Sequence, residues 1–231
     1  MANNYQSIQD RVYYTLRSYI LTFKLVPGTI MSTQEIATNL KVSRTPVREA
    51  FIRLQRDGLV QILPQKETMV SLIDMNRVLQ ERFLRLNMEQ AVLKVFMEKL
   101  EPCHLHQLHS LIEKQLIASI NGDHDLLHQY DNEFHRVFFD GANQIFSWDL
   151  INQSSTHYQR IRLLSLREQS IPGNNVLQHQ EILRALETRR LDILLKIHKE
   201  HLTKLNLEED LLRKKNPEYF ADRTAEHQLF L

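Results

Sequence analysis

Two groups of residues in this chain have types and spacings that could do chemistry. The first is the run Val42-Ser43-Arg44-Thr45-Pro46-Val47-Arg48-Glu49-Ala50. Ser43 is an N-cap candidate, because its hydroxyl can accept from a free amide of a first helical turn. Pro46 falls inside that turn, where a missing N–H costs nothing. Arg44, Thr45 and Arg48 then gather at the positive pole of a helix dipole, whose free amides point at phosphate. A guanidinium also matches the two acceptors on a guanine edge. The chemistry on offer is the reading of a DNA major groove by Arg44, Thr45 and Arg48, with Ser43 and Lys66 nearer phosphate.

The second group is Asp131, His135, His179 and His201. Asp131 and His135 are four residues apart in a helical pattern, so both side chains emerge on one face, one turn apart. Such a pair can hold one divalent ion. His179 and His201 belong to later helices, and if these helices surround a common interior the four side chains meet there. Three imidazoles and a carboxylate suit Zn, Ni, Mn or Fe. Taken singly, each histidine also reads as a solvated or hydrogen-bonded residue, and an Asp/His pair four apart is common on exposed helix faces. His198, one turn from His201, and His128, one turn before Asp131, are possible substitutes. His104, His106 and His109 are read as exposed.

The elements that must position these residues follow from patterning. The region 8–22 has apolar residues at helical spacing, at Ile8, Val12, Leu16 and Ile20. Pro27-Gly28 marks a turn. Ser32 or Thr33 caps a short helix over 34–40, and a third helix runs over 44–57 and stops at Gly58. Residues 59–63 and 68–72 are β-rich, with a hairpin tip at Pro64-Gln65-Lys66-Glu67. Three helices and a small hairpin make a winged helix-turn-helix. Beyond it the pattern is all helical, with helices at 75–99, 102–121, 124–140, 143–169, 175–188 and 190–214. Breaks fall at Pro102, Gly122, Gly141 and Pro172-Gly173, and short loops imply an antiparallel bundle. The tail after Pro217 is weakly patterned and is expected to fray. The expectation is a mainly α protein with two domains: residues 1–73, a winged helix-turn-helix, and residues 74–231, an all-helical bundle.

Bulk composition agrees. The chain has 231 residues, with only 5 Gly and 6 Pro, which disfavours a loop-rich all-β fold. Residues 1–73 hold 9 Lys+Arg against 5 Asp+Glu, whereas the remainder holds 20 against 23. A basic head on a mildly acidic body suits a polyanion-binding head. No apolar run is long enough to span a membrane, and the first residues lack the pattern of a signal peptide. One cysteine, Cys103, excludes an intrachain disulfide, and the expected location is cytoplasmic.

The chain resembles the GntR family of bacterial transcription regulators, in its FadR-like branch with an FCD effector domain. The resemblance covers about residues 8–205. In the head it rests on Pro27-Gly28, Ile36-Ala37, the run from Val42 to Ala50, Leu54 and Asp57-Gly58-Leu59-Val60. In the body it rests on Arg85-Leu86-Asn87-Met88-Glu89, Asp131 with Phe134-His135, Gly141-Ala142-Asn143, and His179 with Ile182-Leu183, Ala185-Leu186 and His201. It implies that Asp131, His135, His179 and His201 bind a divalent metal (Zn, Ni or Mn), in a bundle of six or seven helices. It also implies a homodimer on a double-stranded DNA operator, and a small carboxylate effector beside the metal. Arg85, Arg160 and Arg162 are candidates to grip that carboxylate, since a guanidinium can offer it two parallel hydrogen bonds. The sequence departs from the family at Glu67, where a glycine usually stands, and at Gln34, where some relatives carry an arginine on DNA. The function expected is a regulator whose operator affinity responds to an acid bound beside a metal. The rival readings are a metal-dependent hydrolase using the Asp/His cluster, and a regulator responding to the metal itself.

Overall fold

A computed structural model describes residues 7–63, 67–168 and 175–222. The chain divides into two compact units, one formed by residues up to Val78 together with the segment from Asn216, the other by Leu79–Lys215.

The first unit starts with α1 (Ile8–Leu21), capped by Ser7, whose hydroxyl accepts from Asp10 N–H at 3.1 Å. Its buried stripe is Val12, Tyr13, Leu16 and Ile20, the spacing read from sequence. A strand β1 (Ile30–Ser32) leads directly into α2 (Thr33–Leu40), and of the two cap candidates it is Ser32 that accepts from Glu35 N–H. Helix α3 (Arg44–Arg56) buries Pro46, Val47, Ala50, Phe51 and Leu54 against α1 and α2. It closes at Gly58, in the left-handed region at φ +75°, with Leu59 N–H donating to Leu54 carbonyl at 2.9 Å. Strands β2 (Val60–Ile62) and β3 (Glu67–Val70) complete an antiparallel sheet of order β1-β3-β2, with Met31 opposite Thr68 and Val60 opposite Val70. Strand β1 is absent from the sequence reading because three residues are too few to show an alternation. The hairpin tip at 64–66, including Lys66, lies outside the described residues.

The tail departs from expectation. Pro217–Tyr219 forms a 3-10 turn, and Phe220 is buried. Ile73 N–H donates to Tyr219 carbonyl at 2.8 Å, and Ala221 N–H donates to Ile73 carbonyl at 3.0 Å. Tyr219 stacks on Phe23, with ring centroids 5.8 Å apart. Residues 217–221 therefore form a strap within the first unit, and residues 223–231 lie outside the described residues. The strap's partners lie about 150 to 200 residues away along the chain, so local patterning could not reveal it.

The second unit is a bundle of α4 (Met75–Glu98), α5 (Pro102–Ile120), α6 (His124–Gly141), α7 (Ile145–Ser154), α8 (Thr156–Arg167), α9 (Asn175–Glu187), α10 (Leu191–Thr203) and α11 (Leu205–Lys215). Helix α5 packs on α6 and α9, α9 on α10, α6 on α7 and α8, and α8 on α11. The apolar core contains Leu93, Phe96, Phe134, Phe138, Ile182, Leu186 and Leu194. The two long helices expected over 143–169 and 190–214 are each split, at Ser155 and at Lys204. Neither break carries Gly or Pro. At the first, buried Glu81 of α4 accepts from His157 and Tyr158 N–H at 2.9 and 2.8 Å, so a side chain from another helix caps α8. Gly141 has a different cause. A Cβ there would lie 2.4 Å from the Phe96 ring, and Asn143 takes the left-handed turn just beyond, at φ +58°.

Ending the chain at Asn216 is expected to raise amide hydrogen exchange at Ile73 by about tenfold or more. Val70, whose N–H donates to Thr29 carbonyl at 2.9 Å, should keep its protection. Unchanged protection of Ile73 would refute the strap.

Candidate functional site

In the head, the fold sorts the residues of α3 by face. Pro46, Val47 and Ala50 turn inward, whereas Ser43, Arg44, Thr45 and Arg48 are exposed. The four share one end of the helix because the buried stripe occupies the opposite side. Ser43 takes the N-cap backbone position with extended dihedrals, but its hydroxyl makes no hydrogen bond to the first turn. The expected self-cap is thus absent. The first-turn amides of α3 keep the donor character that suits phosphate. Arg44 Nε donates to Gln34 Oε1 on α2, which links the two helices of the motif at the exposed surface. Farther along α3, Arg53 lies 3.9 Å from the Tyr13 ring centre and pairs with Asp10 at 2.7 Å. That pairing makes Arg53 part of the scaffold.

In the body, α6, α9 and α10 do converge. Asp131 and His135 come from α6, His179 from α9 and His201 from α10, all four buried, with one ligand atom of each within 4.8 Å of the others. His135 Nε2 and His179 Nε2 each lie 3.2 Å from His201 Nε2, and Asp131 Oδ1 lies 3.6 Å from His179 Nε2.

The other ring nitrogens decide what this means. His135 Nδ1 donates to Glu89 Oε1, His179 Nδ1 to Gln115 Oε1 at 2.6 Å, and His201 Nδ1 to Gln178 Oε1 at 2.9 Å. The amide of Gln115 is itself oriented, because its Nε2 donates to Tyr130 carbonyl at 3.2 Å. With each proton committed to Nδ1, the three Nε2 atoms carry only lone pairs, so their short separations are not hydrogen bonds. Three lone pairs and a carboxylate oxygen aimed at one interior point fit a cation. Acceptors behind each imidazole are the usual outer partners of a metal-binding histidine.

Electrostatics supports the same arrangement. Burial pushes His179 down to about 3, and burial with the neighbouring imidazoles holds His201 well below its ordinary range. Burial alone would raise the Asp131 carboxyl, but the Arg162 guanidinium overrides it and holds it well below the usual value. The four side chains are therefore in the deprotonated forms that metal binding requires.

The expected acid-binding arginines are not brought together as one group. Arg162 donates through Nη2 to Asp131 Oδ2 and through Nη1 to Asn132 Oδ1 at 2.9 Å. It lines a cleft with Asp131, Tyr158, Asn175, His201 and Lys204. Arg85 is buried on α4 and, like Arg160, is not among the residues lining the cleft; its Nε donates to Glu89 Oε2 at 3.0 Å, its guanidinium lies 5.8 Å from the Tyr158 ring centre, and its Nη2 is sealed without a hydrogen-bond partner among the described residues. Arg160 is also buried, but it turns to His157 Nδ1 at 3.1 Å and Thr156 carbonyl at 3.3 Å and is not among the residues lining the cleft. His198 does not join the four ligands. Its Nε2 lies 3.2 Å from Glu89 Oε1, in a second group with Glu89 and His135. The roles of Glu89, Gln115 and Gln178 behind the histidines are missing from the sequence reading, which has Glu89 only in the motif with Arg85, because each comes from a different element than the histidine it serves.

His128, the other possible substitute, is partly exposed, but its Nδ1 is sealed and unpartnered among the described residues. Burial, with Arg162 beside it, pushes this imidazole down to about 3. The unfolded chain takes up its proton near pH 6.5, so this group costs stability as pH falls from 6.5 toward 3 and nothing above. His128→Gln is expected to flatten the acid limb of the metal-free protein by up to about 1.4 kcal/mol per pH unit, one proton's worth, in denaturant titrations. An unchanged slope would show that His128 is protonated in the fold.

Comparison with known proteins places both parts. Residues 8–70 match the family of bacterial regulatory proteins called the gntR family, and residues 82–204 match the FCD domain. The HTH-type transcriptional repressor RspR of Escherichia coli (strain K12) is 30% identical over 220 residues, covering 95% of this chain and 96% of that protein. Among solved structures, E. coli McbR/YncC superposes with a TM-score of 0.74 at 22% identity, covering 91% of this chain and 99% of that one. A putative GntR transcriptional regulator from Rhodococcus sp. RHA1 does so with 0.72 at 21%, covering 94% and 100%. These relatives are transcription regulators, not enzymes, so the hydrolase reading is not carried forward. No helix among the described residues is long and apolar enough to cross a membrane. A recognition helix with its cationic tip exposed, a helical body matched from 82 to 204, and a repressor related along nearly the whole length lead to one conclusion: the chain belongs to the gntR family of bacterial regulatory proteins and is a DNA-binding transcription regulator with an FCD domain.

Proposed function

We propose that this regulator binds its operator as a homodimer, and that a small carboxylic acid, bound beside a divalent metal in the helical body, changes its operator affinity. The observation that carries the reading is the convergence of three imidazole Nε2 lone pairs and Asp131, with every Nδ1 proton already committed elsewhere. Asp131, His135, His179 and His201 hold the ion, and Zn, Ni and Mn all suit the donor set. When bound, the ion supplies an electropositive coordination point for a carboxylate oxygen. Arg162 orients Asp131 by engaging Oδ2, which leaves Oδ1 on the ligand side. Arg162 and Lys204 bring positive charge to the cleft beside the ligands, which selects for an anion.

In the head, Arg44, Thr45 and Arg48 enter the major groove, with Ser43 and Lys66 closer to phosphate. Two copies read a near-palindromic site, since the symmetry of a dimer is matched by that of its operator. The acid shifts DNA affinity only as far as it binds the two arrangements of the dimer differently.

Two measurements test the reading. Operator fragments selected with the wild-type protein should be bound more weakly by Arg44→Ala and by Arg48→Ala, each by about 1–3 kcal/mol, with relaxed sequence preference. Retained affinity and specificity in the double variant would remove these residues from the groove. Elemental analysis of purified protein should find about one divalent ion per chain in the wild type, with strong loss in His179→Ala. Equal metal content in the two would rule out the ligand set. Operator affinity that follows free metal with no acid present would identify the metal itself as the signal.

A further inference from the structure

Glu89 is fully buried on α4 and engages three side chains at once. Its Oε1 accepts from His135 Nδ1 and lies 3.2 Å from His198 Nε2, and its Oε2 accepts from Arg85 Nε at 3.0 Å. It belongs to a row. Glu81, Arg85 and Glu89 follow one another at steps of four and so share one face of α4, a face that is otherwise apolar at Met75, Val78, Val92 and Phe96. Glu81 caps α8, the helix that carries Arg162.

The other two ligand histidines show that a neutral amide is enough to orient an imidazole, because Gln115 and Gln178 do so. A buried carboxylate is costly unless it is paired. The charge at Glu89 therefore calls for a further partner, and Arg85 is that partner. Holding Arg85 by Nε leaves its Nη2 sealed from solvent and without an acceptor among the described residues, a donor in need of an oxygen.

We propose that Glu89 is a positioning residue shared by the metal centre and an anion receptor. Oε1 fixes His135 as an Nε2 ligand, while Oε2 holds Arg85 by Nε and leaves Nη2 for a carboxylate oxygen. The inference rests on the acid-and-metal reading above and deepens it. Because both receptors draw on one carboxylate, metal and acid affect each other's binding by the same factor.

The test uses the full-length protein, with Zn(II) and acetate as probes. Replacing this residue by alanine removes the acceptor behind His135 and the hold on Arg85 together, whereas a glutamine, like Gln115 and Gln178, can still orient an imidazole. Chelator-competition titration should show zinc bound about 10–100-fold more weakly by Glu89→Ala. Acetate should bind the zinc-loaded variant more weakly than it binds the wild type. The zinc effect should vanish in a His135→Ala background and the acetate effect in an Arg85→Met background, a non-additivity that general loosening of the bundle does not produce. Wild-type affinities in Glu89→Ala, or losses that persist at full size in those backgrounds, would overturn the proposal. A wild type that binds zinc but not acetate removes the anion-receptor half. One readout needs no variant. The ¹⁵N spectrum of metal-free wild type should show His135 as the Nδ1–H tautomer, and an Nε2–H tautomer refutes the hold by Glu89. If the wild type binds neither probe, the acid-and-metal reading has failed, and the tautomer still decides whether Glu89 sets His135.

Discussion

The body of this protein is organised around a repulsion. His135, His179 and His201 aim unprotonated Nε2 atoms at one another in a buried interior, and Asp131 adds a carboxylate oxygen to the same point. Lone pairs gathered this way in a low dielectric are unfavourable until a cation sits among them. The fold holds them there by occupying the opposite edge of each imidazole. Glu89, Gln115 and Gln178 take the Nδ1 protons, and Phe134 stacks on His179 with ring centroids 4.2 Å apart. The apolar core supplies the rigidity for this, since close-packed aromatic and aliphatic side chains resist the small rotations that would let the rings separate.

The arginines around the centre divide their work by burial. Arg162 is tied to Asp131 of the converging four and also faces the cleft. Arg160 is spent on internal contacts with Thr156 and His157, and burial pulls its guanidinium down to about 10, which still leaves it charged at neutral pH. Arg85 stands between these cases, with Nε satisfied and Nη2 without an acceptor among the described residues. All three were equivalent candidates as residue types. Their separation comes from which neighbouring helix each one meets.

Much of the head was legible in the sequence. The Ser43–Ala50 run, the stripe of α1 and the stop at Gly58 are local signals, and local physics fixes them: helical periodicity, a proline tolerated in a first turn, and a glycine in the left-handed region. Strand β1 was not legible, because three residues carry no period and Ile30–Ser32 becomes a strand only by pairing with β3. The breaks at Ser155 and Lys204 were likewise invisible, since neither has a helix-breaking residue, and at the first the cap comes from Glu81 about 75 residues earlier. The strap over 217–222 is defined by Ile73 and Phe23, at the far end of the sequence.

The sequence by itself determined the residue types and their spacing: a cationic tip on one helix, an Asp/His pair one turn apart, and two further histidines on later helices. Those follow from backbone geometry, which repeats along the chain and can be counted. Only the tertiary structure decided that α6, α9 and α10 enclose one point, that His201 and not His198 faces it, and that Glu89, Gln115 and Gln178 stand behind the rings. These are relations between elements far apart in sequence. Side-chain packing in a shared core sets them, and no local periodicity encodes them.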